Sequence, residues 1–129
     1  MNQLAKYQDQ AYAFMRIVVG FMFSFHGAQK ILGILSEHPM PAIGSQMWVG
    51  GVIELVAGAL IMIGFLTQWA AFLASGQMAV AYFQFHWKFQ MGAQFFPGVN
   101  KGELAVLYCF IFLYIACHGA VLWCLDKKK

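Results

Sequence analysis

The sequence predicts an all-α fold, an integral membrane bundle of four helices that run up and down. Of the 129 residues, 61% are hydrophobic and only 10% are charged, whereas a soluble domain is roughly 25% charged and 45–50% apolar. A chain this short has too much surface for its volume to hide so many apolar side chains from water. The composition excludes a monomeric soluble enzyme and a disordered tail, and the length indicates a single domain over residues 1–129.

Four apolar segments are long enough to cross a bilayer, which takes about 20 helical residues. They cover residues 11–35, 47–66, 69–87 and 103–125. Two prolines and Gly44 interrupt the chain after the first segment, a short polar turn at 67–68 follows the second, and a loop over 88–102 follows the third. Asn100 in this loop is a candidate cap for the fourth helix. This pattern defines the four predicted helices.

The tryptophans and basic residues predict the membrane topology. All four tryptophans lie at predicted helix ends, as expected for side chains at the membrane–water interfaces: Trp48, Trp69, Trp87 and Trp123. Four crossings put both termini on one side, with Lys6, Arg16 and the three lysines at 127–129, against Lys30, Lys88 and Lys101 on the other. The excess predicts cytoplasmic termini in a bacterial-type inner membrane, with the two longer loops outside.

The charges and cysteines exclude other classes of protein. The net charge is +3, but the basic residues form no patch suited to a phosphate backbone, so no nucleic-acid partner is expected. The terminal lysines at 127–129 indicate contact with anionic lipid instead. The cysteine count is odd and contains no C-x-x-C pair, which indicates neither a disulfide scaffold nor a thioredoxin-type motif; the three are Cys109, Cys117 and Cys124.

Ionisable side chains within predicted spans are candidates for a functional site, because a charge in hydrocarbon is costly. They are Arg16, His26, Lys30, Glu54, His86, Glu103 and His118. At 1.5 Å per residue, His26 lies about 13 Å below the outer end of its helix, and Glu54 about 10 Å below Met47. Lys30 lies one turn nearer the surface than His26. An outer cluster is therefore predicted, formed by His26, Lys30 and Glu54 with His86 and Glu103 at its rim.

This cluster is suited to binding a quinone. A buried carboxylate beside a histidine and a lysine can exchange protons, and a quinone headgroup needs donors to its carbonyl oxygens and a proton source. The catalytic candidates are His26, Lys30 and Glu54, and the cofactor-binding candidates are His26, Glu54, His86 and Glu103. The same residues would also serve as a polar clamp between helices without any turnover. No spacing of ligands indicates a metal, and the depths of the histidines argue against haem.

Small residues recur on the helix faces that should pack. Gly50, Glu54 and Gly58 are spaced by four residues, which places the carboxylate on a face with two glycines. Further small residues mark the first and third helices, namely Gly20, Gly27, Gly33, Ala70, Ala74 and Ala81. Such stripes let membrane helices approach closely. Glu54 is therefore predicted to face a neighbouring helix. Arg16, on the inner side, is predicted either to reach the interface or to pair with Asp126.

Taken in order, these motifs resemble the DoxX family of small four-helix membrane proteins. The matching residues are Arg16-x-x-x-Gly20, His26-Gly27-Ala28-Gln29-Lys30-x-x-Gly33, Glu54-x-x-x-Gly58, Gly64-Phe65-Leu66-Thr67, Ala70-Ala71, Asn100-Lys101-Gly102-Glu103 and Leu125-Asp126. The resemblance covers nearly the whole chain. It departs on the inner side, where Gln68 stands in place of a frequent arginine and Trp123-Cys124 precedes the final Leu-Asp.

The resemblance implies a membrane protein connected with redox metabolism, since some relatives are subunits of thiosulfate:quinone oxidoreductase and others are linked to thiol and oxidative stress. The leading hypothesis is a membrane component of a quinone-linked oxidoreductase, in contact with lipid and other redox subunits or with copies of itself. The alternative is a non-catalytic scaffold that recruits or stabilises partner enzymes. Transport of a small solute is a third class that the sequence leaves open, as is whether the chain itself catalyses a reaction.

Overall fold

The computed structural model describes residues 2–127, and every regular element in that range is helical. The elements are α1 (Asn2–Ala5), α2 (Gln8–Leu32), α3 (Gln46–Ile63), α4 (Thr67–Ala81), a π-helix (Tyr82–Trp87), a 3₁₀ turn (Ala93–Phe95), α5 (Pro97–Asn100) and α6 (Glu103–His118). The π-helix continues directly from α4, so the third predicted segment is helical over 67–87. The all-α prediction agrees with this architecture.

Helices α2 and α3 pack closely along their length because glycines face each other across the interface. A Cβ atom on Gly27 would lie 2.6 Å from the carbonyl oxygen of Gly51, and one on Gly20 would lie 2.6 Å from the backbone nitrogen of Met62. A Cβ on Gly58 would lie 2.7 Å from Cα of Ser24. These contacts are with backbone, so the predicted close approach at glycines is present between these two helices.

The core joins the two halves of the molecule. Helix α4 packs along α6, and α3 contacts α4 less extensively. Phe23 of α2 is almost completely buried, and its ring lies 4.7 Å from the ring of Phe112 and 5.6 Å from that of Tyr108, both in α6. Ile61 and Ile115 are also fully buried. These apolar contacts join α2 to α6. They therefore connect the α2–α3 pair to the α4–α6 pair.

Three helices end earlier than predicted, in each case at a glycine. Helix α3 stops at Ile63 instead of 66, because Gly64 adopts a left-handed conformation with φ of 70°. Helix α2 stops at Leu32 instead of 35, because Gly33 adopts a left-handed conformation with φ of 65°. Helix α6 stops at His118 instead of 125, because Gly119 has φ of 80°. Glycine populates positive φ without a steric penalty, so it commonly terminates helices. Residues 119–127 then turn back under α3, with the amide of Asp126 2.8 Å from the Gly64 carbonyl.

The outer surface of the described residues is largely apolar. By length and composition, α2 and α3 could each cross a membrane, and only 28% of the residues in each spanning window are buried. Helix α6 is a shorter apolar helix. Bulky exposed side chains include Phe14, Phe21, Trp69, Phe72 and Phe110. A water-soluble domain would bury the apolar face of its helices. These helices bury apolar side chains in the core and also expose many others.

Candidate functional site

A cavity of about 640 Å³ lies between α3 and α4 and extends to α2 and the start of α6. Its volume is within the range of small-molecule sites. Its walls are mostly apolar, including Val49, Ile53, Phe72, Leu73 and Val80. The polar side chains that reach it are His26, Lys30, Gln46, Glu54, Gln77, His86, Lys101 and Tyr108. It is therefore an apolar space bordered by a small set of polar groups.

The polar end of the cavity contains an ion pair between α2 and α3. The Nζ atom of Lys30 lies 2.7 Å from Oε1 of Glu54, and the side chain of Glu54 is only 5% exposed while that of Lys30 is 35% exposed. Glu54 is buried because it lies on the same face as Gly50 and Gly58. The structure thus brings together two of the three residues predicted as the catalytic cluster.

Gln77 of α4 completes this cluster, and the sequence analysis did not single it out. Its Nε2 atom donates to Oε1 of Glu54 at 3.0 Å and to the Gly50 carbonyl at 3.1 Å. The site residues predicted from the sequence are all ionisable, whereas Gln77 is a neutral amide in the third predicted span. The sequence feature that could have identified Gln77 is a polar side chain within an otherwise apolar segment. Through Gln77, the Lys30–Glu54 pair is linked to a third helix.

Three buried oxygens around the cavity accept or donate no hydrogen bond within residues 2–127. They are Oε2 of Glu54, Oε1 of Gln77 and the hydroxyl of Tyr108. A buried polar atom without a partner is unfavourable by about 1–3 kcal/mol, so such atoms are uncommon and call for a ligand or ordered water. Their residues all line one cavity, which makes this end of the cavity a candidate binding site.

The other predicted site residues are placed differently from one another. His26, the third predicted member of the cluster, is exposed and lines the cavity, and His86, predicted at the rim, lines it from the π-helix, with Nδ1 3.4 Å from the Asn100 carbonyl. Glu103, also predicted at the rim, is exposed and is not among the residues that line the cavity. Its carboxylate instead lies near Gly98, while Lys101 occupies the rim. Because α6 begins at Glu103, that side chain extends toward α5 and away from the cavity.

Asn100 stabilises the loop that contains Lys101 and contacts His86. Its Nδ2 atom donates to the Gln94 carbonyl at 2.9 Å and to the Tyr82 hydroxyl at 3.2 Å, and its Oδ1 accepts from the amide of Gly102 at 2.9 Å. The sequence suggested Asn100 as the cap of the fourth helix, but the residue preceding α6 is Gly102. Asn100 therefore stabilises the loop instead of capping α6.

Arg16, on the opposite side of the molecule, is completely buried and binds backbone. Its Nη1 donates to the carbonyls of Ile61 and Met62 at 2.6 and 2.9 Å, and its Nη2 to those of Leu122 and Trp123 at 2.9 and 2.8 Å. The predicted pairing with Asp126 is absent among the described side chains, where Lys30–Glu54 is the ion pair found. The guanidinium instead joins the end of α3 to the returning segment 119–127.

His118 lies in an aromatic group on the same side of the molecule as Arg16. Its ring is 4.6 Å from the ring of Tyr12 and 5.3 Å from that of Tyr114. The Tyr12 hydroxyl donates to the Gly119 carbonyl at 2.6 Å, which ties α2 to the end of α6. Packing accounts for His118, which the sequence left without a role. Within residues 2–127, no three side chains from His, Cys, Asp and Glu are placed to share a metal ion.

Asp126 caps the start of α4. Its carboxylate accepts from the amides of Leu66 at 2.8 Å and Thr67 at 2.9 Å, where free N–H groups favour an anion. Partial burial opposes the charge, but the hydrogen bonds from Thr67 and Leu66 and the positive charge of Arg16 outweigh it. The pKa of Asp126 is therefore lowered from its ordinary value of 3.8.

We expect this cap to make stability depend on acid pH. With the pKa lowered in the folded state, the stabilisation is present above the unfolded pKa and is lost as the pH falls through the folded pKa. The Tm of the purified protein should therefore fall as the pH drops below about 4, and Asp126→Asn should flatten this fall at a cost of up to about 1 kcal/mol near neutrality. Asp9→Asn, an exposed position, is the control. An unchanged pH profile in Asp126→Asn would contradict the assignment.

The fold and the site define a small all-helical protein with an apolar exterior and a buried ion pair at one end of an internal cavity. The chain belongs to the DoxX family: the DoxX family model matches residues 11–87. An uncharacterised protein of Haemophilus influenzae is 44% identical over 135 residues, which cover 99% of this chain and 97% of that relative. No solved structure matches the chain. Family membership and the two apolar helices together indicate a membrane protein.

Proposed function

We propose that this chain is a multi-pass membrane protein in which the cavity beside Lys30 and Glu54 binds a quinone, and that it serves as a membrane component of a quinone-linked oxidoreductase. In the proposed topology, the helical segments 8–32, 46–63, 67–87 and 103–118 cross the inner membrane, with the termini in the cytoplasm and the cavity toward the outer leaflet. The observation that supports the site is a buried ion pair beside an apolar cavity of ligand size.

The residues present fit a quinone headgroup. Lys30 donates one N–H to Glu54 and has two more to offer a carbonyl oxygen, and Glu54 and Tyr108 each carry an oxygen without a partner in the described part of the chain. A bound quinone would supply two-electron chemistry. The protein supplies a donor in Lys30, a proton-holding group in Glu54, and apolar walls that limit access of water to both.

The walls of the cavity suit a lipid tail. Apolar side chains on α3 and α4 that line the cavity are also exposed on the outside of the molecule, among them Val49, Phe72 and Val80. Between them lies Gly76, around whose Cβ position no atom falls within 4 Å. The cavity therefore opens sideways, between two helices, onto the surface that the proposal assigns to hydrocarbon. A ligand with an isoprenoid tail could enter from the bilayer.

The proposal predicts that Glu54→Gln weakens binding of the reduced quinone at least tenfold, because a hydrogen bond from its hydroxyl to a charged carboxylate contributes about 1.5–3 kcal/mol. It should also abolish quinone-dependent electron transfer while the protein stays folded in the membrane. Binding of decylubiquinol to protein in nanodiscs and native mass spectrometry of co-purified quinone would measure the first effect. Glu37→Gln is the matched control, since Glu37 is an exposed glutamate in the loop after α2.

A second variant tests the cavity without changing a charge. Gly76→Phe should fill the open space at the lateral entrance and reduce decylubiquinone binding, with the size-exclusion profile unchanged. If wild-type protein binds no quinone, or if Glu54→Gln binds and turns over as the wild type does, the proposal is overturned. The chain would then be better explained as the scaffold subunit that stabilises partner enzymes, with the ion pair as an interhelical clamp.

A further inference from the structure

The hydrogen bonds of Gln77 determine which of its side-chain atoms remains for a ligand. Its NH₂ group has two N–H donors, and these are used by the Gly50 carbonyl at 3.1 Å and by Glu54 Oε1 at 3.0 Å. Rotating the amide by half a turn would place its oxygen against these two acceptors, so the orientation is fixed by its partners. Gln77 therefore presents Oε1, an acceptor, without a partner among residues 2–127.

Glu54 presents a second acceptor. Its Oε1 receives both the ammonium of Lys30 and the amide of Gln77, and its Oε2 has no partner in the described chain. Paired with an ammonium, the side chain is a carboxylate, which only accepts hydrogen bonds. Besides the two remaining N–H groups of Lys30, the unused polar groups at this end of the cavity are consequently two acceptors and the Tyr108 hydroxyl, which can act in either sense.

The two redox forms of a quinone differ in the hydrogen bonds that their oxygens can form with these groups. The oxygens of the oxidised form are carbonyls that only accept, whereas the reduced form carries two hydroxyls that both donate and accept. The donors of the site, Lys30 and Tyr108, can therefore bond either form. The acceptors Glu54 Oε2 and Gln77 Oε1 can bond only the reduced form, and beside the oxidised form they would be buried opposite other acceptors.

We propose that this cavity binds the quinol in preference to the quinone, with Glu54 Oε2 and Gln77 Oε1 as acceptors of its hydroxyl hydrogens. The inference rests on the proposed quinone site and adds Gln77 to it as a specificity-determining residue. Leaving a buried acceptor unpaired corresponds to at least about tenfold in affinity. A tenfold preference for the reduced form raises the midpoint potential of the bound two-electron couple by about 30 mV.

The experiment compares decylubiquinol with decylubiquinone on the intact wild-type protein in nanodiscs. The expected result is a dissociation constant at least tenfold lower for the quinol, and a midpoint potential of the bound couple that is higher than in empty nanodiscs. Equal affinity for the two forms, or preference for the quinone, overturns this inference and leaves the quinone site standing. Binding of neither form overturns the quinone site itself, and this inference with it.

Two variants assign the preference to residues. Gln77→Leu removes one of the two acceptors and should lower the quinol preference severalfold, with the loss of affinity confined mainly to the quinol. Gln68→Leu is the matched control, because Gln68 also donates to a backbone carbonyl, that of Ala116, but lies outside this cavity. If Gln77→Leu retains the full preference, Gln77 does not determine specificity. The wild-type comparison tests the preference even if a variant fails to fold.

Discussion

Replacing Gly27 with alanine is expected to prevent α2 and α3 from packing, and to lower stability by about 3 kcal/mol or more. The new Cβ would lie 2.6 Å from the Gly51 carbonyl oxygen and 2.6 Å from Cα of Leu55. Side chains can rotate away from a clash, but these neighbours are backbone, so the two helices would have to separate. Close approach of backbones at small residues is a main source of association between membrane helices.

The measurement is the yield of monodisperse protein and its Tm in one detergent, with Gly76→Ala as the control. Both changes add one methyl group to a helical glycine, but at Gly76 nothing lies within 4 Å of the new atom. Since alanine is a better helix former than glycine by about 1 kcal/mol, Gly76→Ala should be as stable as the wild type or more so. Equal Tm values for the two variants would show that the α2–α3 contact is not as tight as described.

Replacing Arg16 with methionine is expected to destabilise the protein by about 3 kcal/mol or more, because each buried carbonyl left without a donor costs about 1–3 kcal/mol. The side chain is fully buried and donates to four carbonyls. Methionine fills much of the volume but offers no donor. The carbonyls of Leu122 and Trp123 would lose their partner, so the segment 119–127 should detach from the end of α3.

Two readouts distinguish this role from a general loss of stability. The Tm should fall, and limited proteolysis should cut residues 119–127 at a protease concentration and temperature at which the wild type stays intact. Arg16→Lys keeps the charge but has no planar fork of donors, so it should restore only part of the Tm. Lys6→Met, an exposed basic position, is the control. Protection of the C-terminal segment in Arg16→Met would contradict the role assigned to the guanidinium.

The positions of the helices could be read from the sequence because they depend on local features. The apolar segments predicted at 47–66 and 69–87 correspond to helical residues 46–63 and 67–87. The spacing of Gly50, Glu54 and Gly58 correctly placed the carboxylate on a packed face, because helical periodicity fixes which residues share a face. The sequence also placed Lys30 within reach of Glu54, and these two residues form an ion pair.

The end of α6 could not be predicted from local sequence features. The apolar run continues to 125, and composition alone does not distinguish a helix from a segment that turns back. A single backbone conformation at Gly119 ends the helix. The cap provided by Asp126 and the carbonyls bound by Arg16 then depend on the returning segment, which lies beside α3 only in the folded chain.

By itself, the sequence determined the class of protein, the four apolar segments and the position of Glu54 on a packed helix face, because each follows from local periodicity and from the high cost of isolated charge in an apolar medium. The tertiary structure decided which groups bind Glu54 and the other buried polar side chains. Arg16 binds backbone carbonyls, Gln77 completes the cluster around Glu54, and Glu103 lies outside it. Backbone acceptors and side-chain directions carry no signature in a residue pattern, since folding alone brings them within hydrogen-bonding distance.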